Sequence, residues 1–238
     1  MKSKTQLWRV IAGLILFSAA FGYVEAAVVA YLRSIYAPLR AYFFSAERAN
    51  ELFPLLSLAQ LRALGPENLT RVRIELDREL ATLLMLAGVA LTAGRKLREW
   101  VAAFLVCFGI WDITFYLFLR ALLHWPASLL TWDILFLLPV PWTGPVLAPV
   151  IVSASMIVSG LIVMWREYDN RPVHLTSSGW TGIFLGGAIV FAAFIWDFPN
   201  TANGGNPNPF HWVFFFSGEA IGLSSFGRSL RSSQHPNR

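Results

Sequence analysis

Charge is what this chain has least of. Charged residues make up 14% of its 238 positions, against about 25% in an ordinary soluble domain. A soluble fold of this size would have to cover its surface with side chains the sequence does not contain. Lysine is confined to Lys2, Lys4 and Lys96, all beside apolar runs, so no lysine stands at depth for a retinal-type Schiff base. The single cysteine, Cys107, excludes an intramolecular disulfide framework and any cysteine-based zinc or iron–sulfur site within the chain. It lies in an apolar run, where a lone thiol behaves as a small hydrophobe. The composition also excludes a disordered or collagen-like chain.

What is present is apolar. Hydrophobic residues make up 56% and aromatics 15%, and the mean hydropathy is +0.55. This composition points to a polytopic membrane protein whose first partner is the lipid bilayer. The formal net charge of +5 would suggest nucleic acid in a soluble protein. Here the basic residues flank apolar segments, so they read as topology signals and no nucleic-acid partner is expected.

The pattern predicts an all-α bundle of six transmembrane helices in one domain, residues 1–238. The spans are approximately 10–32, 74–94, 100–119, 145–165, 180–196 and 211–227. The first run continues well past the apolar core of a signal peptide and ends at Arg33, which favours a span. An outer loop covers 33–73 and contains an amphipathic helical segment within Ser45 to Leu64, interrupted by Pro54. Pro66 after Gly65 is placed to start a helix, and the apolar pattern runs unbroken from there to about Ala93. Residues 129–144 form an interfacial or re-entrant piece, because Pro139, Pro141, Pro145 and Pro149 break the long apolar region around them. The segment from Asp197 to Phe210, rich in Asn, Pro and Gly, reads as an irregular surface turn.

Basic residues set the orientation. Lys2, Lys4, Arg9, Arg95, Lys96, Arg98, Arg166, Arg171, Arg228, Arg231 and Arg238 fall on one side in short segments. The positive-inside rule then places both termini in the cytoplasm of a bacterial-type inner (plasma) membrane.

Lipid cannot solvate a charge, so ionisable residues inside spans mark candidate sites. Glu25, Asp112 and Glu219 are the costliest. Span two is too short as a purely apolar run, about 22 Å of helix against a core of about 30 Å. Its outward continuation therefore draws in Glu79, Arg78 and Glu75. Arg71, Glu75, Arg78 and Glu79 share a helix face and can pair. The expected buried acidic pocket is Glu25, Glu75, Glu79, Asp112 and Glu219 in the outer half of the membrane. Its rim is Arg78, His124, Asp133, Asp197 and His211, and Arg78 or Arg33 supplies counter-charge.

Carboxylates with imidazoles suit zinc, iron or manganese, but no diagnostic ligand spacing is present, and the cofactor stays undetermined. Only His124 and His211 stand near a depth suited to haem, both close to the surface. No Gly-x-Ser-x-Gly motif is present, and Ser153, Ser155 and Ser159 read as packing residues or as bonded to carbonyls one turn back. Whether the chain is an enzyme is left open. Small-residue stripes show which faces meet other helices: Gly22, Ala26 and Ala30 in span one, Gly182 and Gly186 in span five, and Gly218 and Gly222 in span six. The two GxxxG faces also suit a second copy or a membrane-complex partner.

The leading functional expectation is handling of a proton, ion or small solute through an outward-facing acidic pocket. The alternatives are a membrane enzyme acting on a lipid or quinone-like substrate near the outer leaflet, with or without a metal, and an accessory subunit whose buried charges pair structurally.

Overall fold

A computed structural model of the chain describes residues 4–45, 51–94 and 96–232. Lys2, Arg95 and Arg238, used above for orientation, lie outside the described residues, as does part of the Ser45–Leu64 segment. The fold is predominantly helical. It comprises α1 (Lys4–Arg40), α2 (Leu58–Ala63), α3 (Pro66–Ala93), α4 (Leu97–Leu123), β1 (Trp132–Phe136), β2 (Trp142–Pro145), α5 (Leu147–Tyr168), α6 (Ser177–Ile195), α7 (Phe198–Ala202) and α8 (Trp212–Ser232).

Among the described residues, four helical stretches are long and apolar enough to cross a membrane: α1, α4, α5, and α6 with its extension to Ala202. This marks a membrane protein. α3 and α8, expected as two further spans, are of similar length but do not reach that composition. The first half of α3 carries Glu67, Arg71, Arg73, Glu75, Asp77, Arg78 and Glu79, and α8 mixes five serines with Glu219, Arg228 and Arg231.

Local sequence sets the helix ends. Pro66 occupies the first position of α3, where its missing N–H is no loss, and Gly65 before it adopts φ 123°. Ser57 and Gln60 form a reciprocal capping box at the start of α2. The Thr176 side chain accepts the Gly179 N–H at the start of α6. α1 runs on to Arg40, so the first part of the expected outer loop 33–73 is helix.

The proline-rich segment 129–144 differs more from an all-α expectation. Trp132–Phe136 and Trp142–Pro145 pair antiparallel, with Asp133 opposite Gly144 and Ile134 opposite Thr143. The intervening residues include Pro139 and Pro141, which cannot donate to a helical ladder, so the chain reverses as a hairpin. The segment from Asp197 to Phe210 also has more order than an irregular turn. Asp197 accepts bonds from the Asn200 amide at 3.0 Å and from the Asn208 backbone and amide at 2.9 and 2.7 Å. Burial pushes the Asp197 carboxyl up, but these donors and the charge of His211 outweigh it and hold the group below the usual carboxylate range.

Two cores share α5. One joins Ile11 and Leu14 of α1, Leu86 and Ala90 of α3, Ala102, Val106, Cys107 and Trp111 of α4, and Met164 of α5. The other joins Ala148 of α5, Val190 and Phe194 of α6, and Phe215 of α8, with Trp142 of the hairpin packed against it. Small residues set the close approaches. A Cβ on Gly22 would lie 2.9 Å from the Trp111 carbonyl oxygen, so α1 and α4 are nearly in backbone contact there. A Cβ on Gly186 would lie 2.6 Å from the Gly218 carbonyl oxygen. The two GxxxG faces therefore pack on each other within the chain.

Candidate functional site: an arginine between acids beside a cavity

Glu25 sits on the same stretch of α1 as Gly22 and Ala26, which pulls it inward with the tightly packed stripe. It is 7% exposed. Arg78 reaches it from α3: the guanidinium Nη1 donates to Glu25 Oε1, and Nη2 donates to Glu75 Oε1. Nε of Arg78 also donates to Glu75 Oε1, at 3.0 Å. The Thr82 hydroxyl, one turn inward on α3, donates to Glu25 Oε2 at 3.5 Å. With both carboxyls ionised, this trio carries one negative charge in excess. Such an excess is costly in low dielectric and calls for a proton or another cation.

Glu79 completes the cluster from the same helix. It lies within electrostatic reach of Arg78, Glu75 and Glu25, and its carboxylate is held differently. Both of its oxygens accept the backbone N–H of Leu137, just beyond β1. Glu25, Glu75 and Glu79 are thus brought together around Arg78. Arg71, on the same face, donates instead to Asn68 at 2.9 Å.

Asp112 and Glu219 are placed elsewhere. Asp112 is buried on α4 and accepts from the Ser153 hydroxyl of α5 at 2.8 Å. Glu219 on α8 accepts from the Ser155 hydroxyl of the same helix α5 at 2.9 Å. The two serines therefore bond acids from neighbouring helices rather than carbonyls of their own. No motif announces this, because a serine in a span serves either role.

The rim residues are dispersed. Asp133 of β1 is buried and accepts from the Tyr116 hydroxyl at 3.0 Å. Burial is the largest influence on its carboxyl; Arg33, Tyr116 and the Ile134 backbone oppose it, and the group is pushed up to about 6. Arg33 itself stacks over the Trp125 ring at 3.9 Å. His124 is exposed at the C-terminal cap of α4, in a left-handed conformation, and its carbonyl accepts from Arg120. His211 is exposed and packs on Trp196, with ring centroids 4.9 Å apart. Among the described residues no three side chains of His, Cys, Asp or Glu are grouped so as to hold a metal ion. The clustered acids surround an arginine, not a metal-sized void.

Beside the Arg78 cluster lies a cavity of about 810 Å³. Its walls come from the C-terminal end of α1, the α2 segment, α3, the hairpin and α7, and they are mainly apolar. Glu75 stands in the wall, as do Tyr36 and Arg40 of α1. Arg40 is buried and donates to the carbonyls of Leu52 and Pro54 at 3.1 and 2.6 Å. Tyr36 and Arg40 could not be found from sequence, because they lie past the end of the apolar run in what reads as loop. Compared with known proteins, the chain matches no family model, no curated protein and no solved structure.

Proposed function

We propose that this chain is a six-span protein of a bacterial-type inner membrane, with both termini cytoplasmic, that handles a proton, a cation or a small solute at the Glu25–Arg78–Glu75 site. The observation that carries this reading is one guanidinium shared by two carboxylates from different helices, with one of those carboxylates in the wall of the outer cavity. With both carboxyls ionised the site is short of one positive charge, so uptake of a proton or cation is its simplest chemistry. α3 and α8 complete the six spans: α3 shields its charged half through Arg78 and the hairpin, and α8 through Ser155 and the Gly186–Gly218 contact. The distribution of basic residues supports the orientation.

The test is flux in proteoliposomes. Purified chain is reconstituted with an internal pH dye or a radiolabelled monovalent cation, and a gradient is imposed. The wild type dissipates the gradient faster than empty vesicles, while Glu25→Gln and Glu75→Gln, folded by melting curve, fall to background. Equal rates for wild type and empty vesicles across protons, sodium and potassium refute ion handling. Cysteine accessibility at introduced terminal and loop positions tests the span count and the orientation.

A further inference from the structure

The cavity is too large and too apolar for a bare ion. Pockets for organic ligands run from about 300 to 1,000 Å³ and are mostly apolar with a few placed polar groups. At about 810 Å³ this cavity falls in that range. Ile134, Leu137 and Pro141 of the hairpin region form part of the apolar wall, with Leu55 and Phe198 elsewhere around it.

The polar groups in the wall have a defined character. Both bonds that Arg78 makes to Glu75 go to Oε1. Among the described residues, Glu75 Oε2 and the Tyr36 hydroxyl make no hydrogen bond, and Tyr36 is within electrostatic reach of Glu75. Arg40 is engaged with backbone carbonyls. Glu75 and Tyr36 therefore offer acceptors to the cavity, beside a cluster in which three carboxyls gather around one guanidinium. A molecule that complements it brings an apolar body and a head that donates hydrogen bonds; a carboxylate head would meet Glu75 with like charge.

From this we infer that the outer cavity binds a single-chain amphiphile whose head is a hydrogen-bond donor, a primary amine or a hydroxyl, with the head at Glu75 and the chain along the hairpin and α7. This rests on the reading that Glu75 belongs to the functional site, and it names the class of molecule that site takes.

Photo-crosslinking of the full-length protein in nanodiscs tests it. The probes are three chain-matched C12 compounds carrying a diazirine in the tail: the amine, the alcohol and the carboxylic acid. Labelled peptides are mapped by mass spectrometry. The amine and the alcohol label Leu55–Leu61 and Phe198–Asn203 in preference to the acid, on the order of tenfold, the scale set by one charge-assisted hydrogen bond. Glu75→Gln removes that preference, and Ala59→Trp, which adds bulk in the cavity wall, removes labelling of both peptides for all three probes. Labelling spread evenly over lipid-facing helices, acid labelling equal to amine, or unchanged selectivity in Glu75→Gln each overturns the proposal. If Glu75→Gln does not fold, the comparison of wild type with Ala59→Trp decides. Selective labelling without flux removes the ion-handling reading and leaves the binding site; flux without selective labelling does the reverse.

Discussion

Leu137 donates its backbone N–H to both carboxylate oxygens of Glu79, at 2.8 and 3.0 Å, across 58 positions of sequence. This contact ties the end of β1 to α3 and sets one wall of the cavity, to which Leu137 itself contributes. At its other end the hairpin is held by Asp133 on Tyr116. A segment with only two short strands has little internal stability, so its place depends on these two anchors together with the packing of Phe136 and Trp142 on the helices.

Removal of the Glu79 anchor should loosen the hairpin without dissolving the bundle. Glu79→Ala leaves the Leu137 N–H without its acceptor and costs roughly 1.5–3 kcal/mol, the range for a hydrogen bond to a charged group. Glu79→Gln retains an acceptor and costs less. Thermal unfolding in detergent gives the size, and limited proteolysis between Phe136 and Trp142 gives the place. Unchanged protease resistance in Glu79→Ala counts against the anchor.

Arg78 should matter more than either of the acids it serves. Arg78→Gln leaves two carboxylates at depth with no guanidinium. Breaking a buried pair costs about 3–5 kcal/mol; Arg78 keeps part of its surface exposed, so the low end applies. Adding Glu25→Gln to Arg78→Gln should recover part of the loss. A double-mutant cycle on melting temperatures measures this coupling, and strict additivity refutes it.

Asp133 should give the protein a pH dependence opposite in sign to that of an ordinary paired carboxylate. Its carboxyl is pushed up to about 6 in the fold, against 3.8 for an unperturbed aspartate. Between those values the folded state binds more protons than the unfolded one, so stability falls as pH rises from about 4 through 6. The contribution is complete below about 4 and lost above 6, on the order of 2–3 kcal/mol. Melting curves at pH 4 to 8 should show this slope flattened in Asp133→Asn. An identical slope in the variant counts against it.

The contact between α6 and α8 should not tolerate bulk. In Gly218→Val the added Cβ would lie 2.7 Å from the Gly186 carbonyl oxygen and 2.8 Å from Val190 Cγ2. Overpacking of this kind costs about 1–3 kcal/mol. Gly227→Ala, on the same helix, meets no atom within 4 Å and serves as the control. Equal melting temperatures for the two variants would show that the close approach does not limit stability.

Ser153→Ala tests an acid outside the Arg78 cluster. It removes the hydroxyl that Asp112 accepts from and costs about 1–3 kcal/mol, as for a buried polar group left without its partner. Flux in proteoliposomes should be unchanged, because Asp112 lies outside the Arg78 cluster. Lost flux at normal stability would enlarge the site to include α4 and α5.

The sequence by itself determined the membrane class and most helix positions, since apolar runs and the charges at their ends are local properties. It determined the start of α3 at Pro66, where Gly-Pro chemistry is read from two residues. It also offered Arg78 or Arg33 as the counter-charge for the buried acids, and three- and four-residue spacing put Arg78 and Glu75 on one face of a helix; the choice of Arg78 for Glu25 came from the fold. Tertiary structure alone decided which acids meet. Glu25 joins Glu75 because Gly22 brings α1 against α4 and Arg78 spans the gap from α3, whereas Asp112 and Glu219 are taken by Ser153 and Ser155. Tertiary structure also decided that 129–144 is a hairpin and that Tyr36, Arg40 and α7 enclose a cavity with it. Depth along a span is written in the sequence, but rotation about the helix axis and the choice of neighbour are set by packing between segments far apart in the chain.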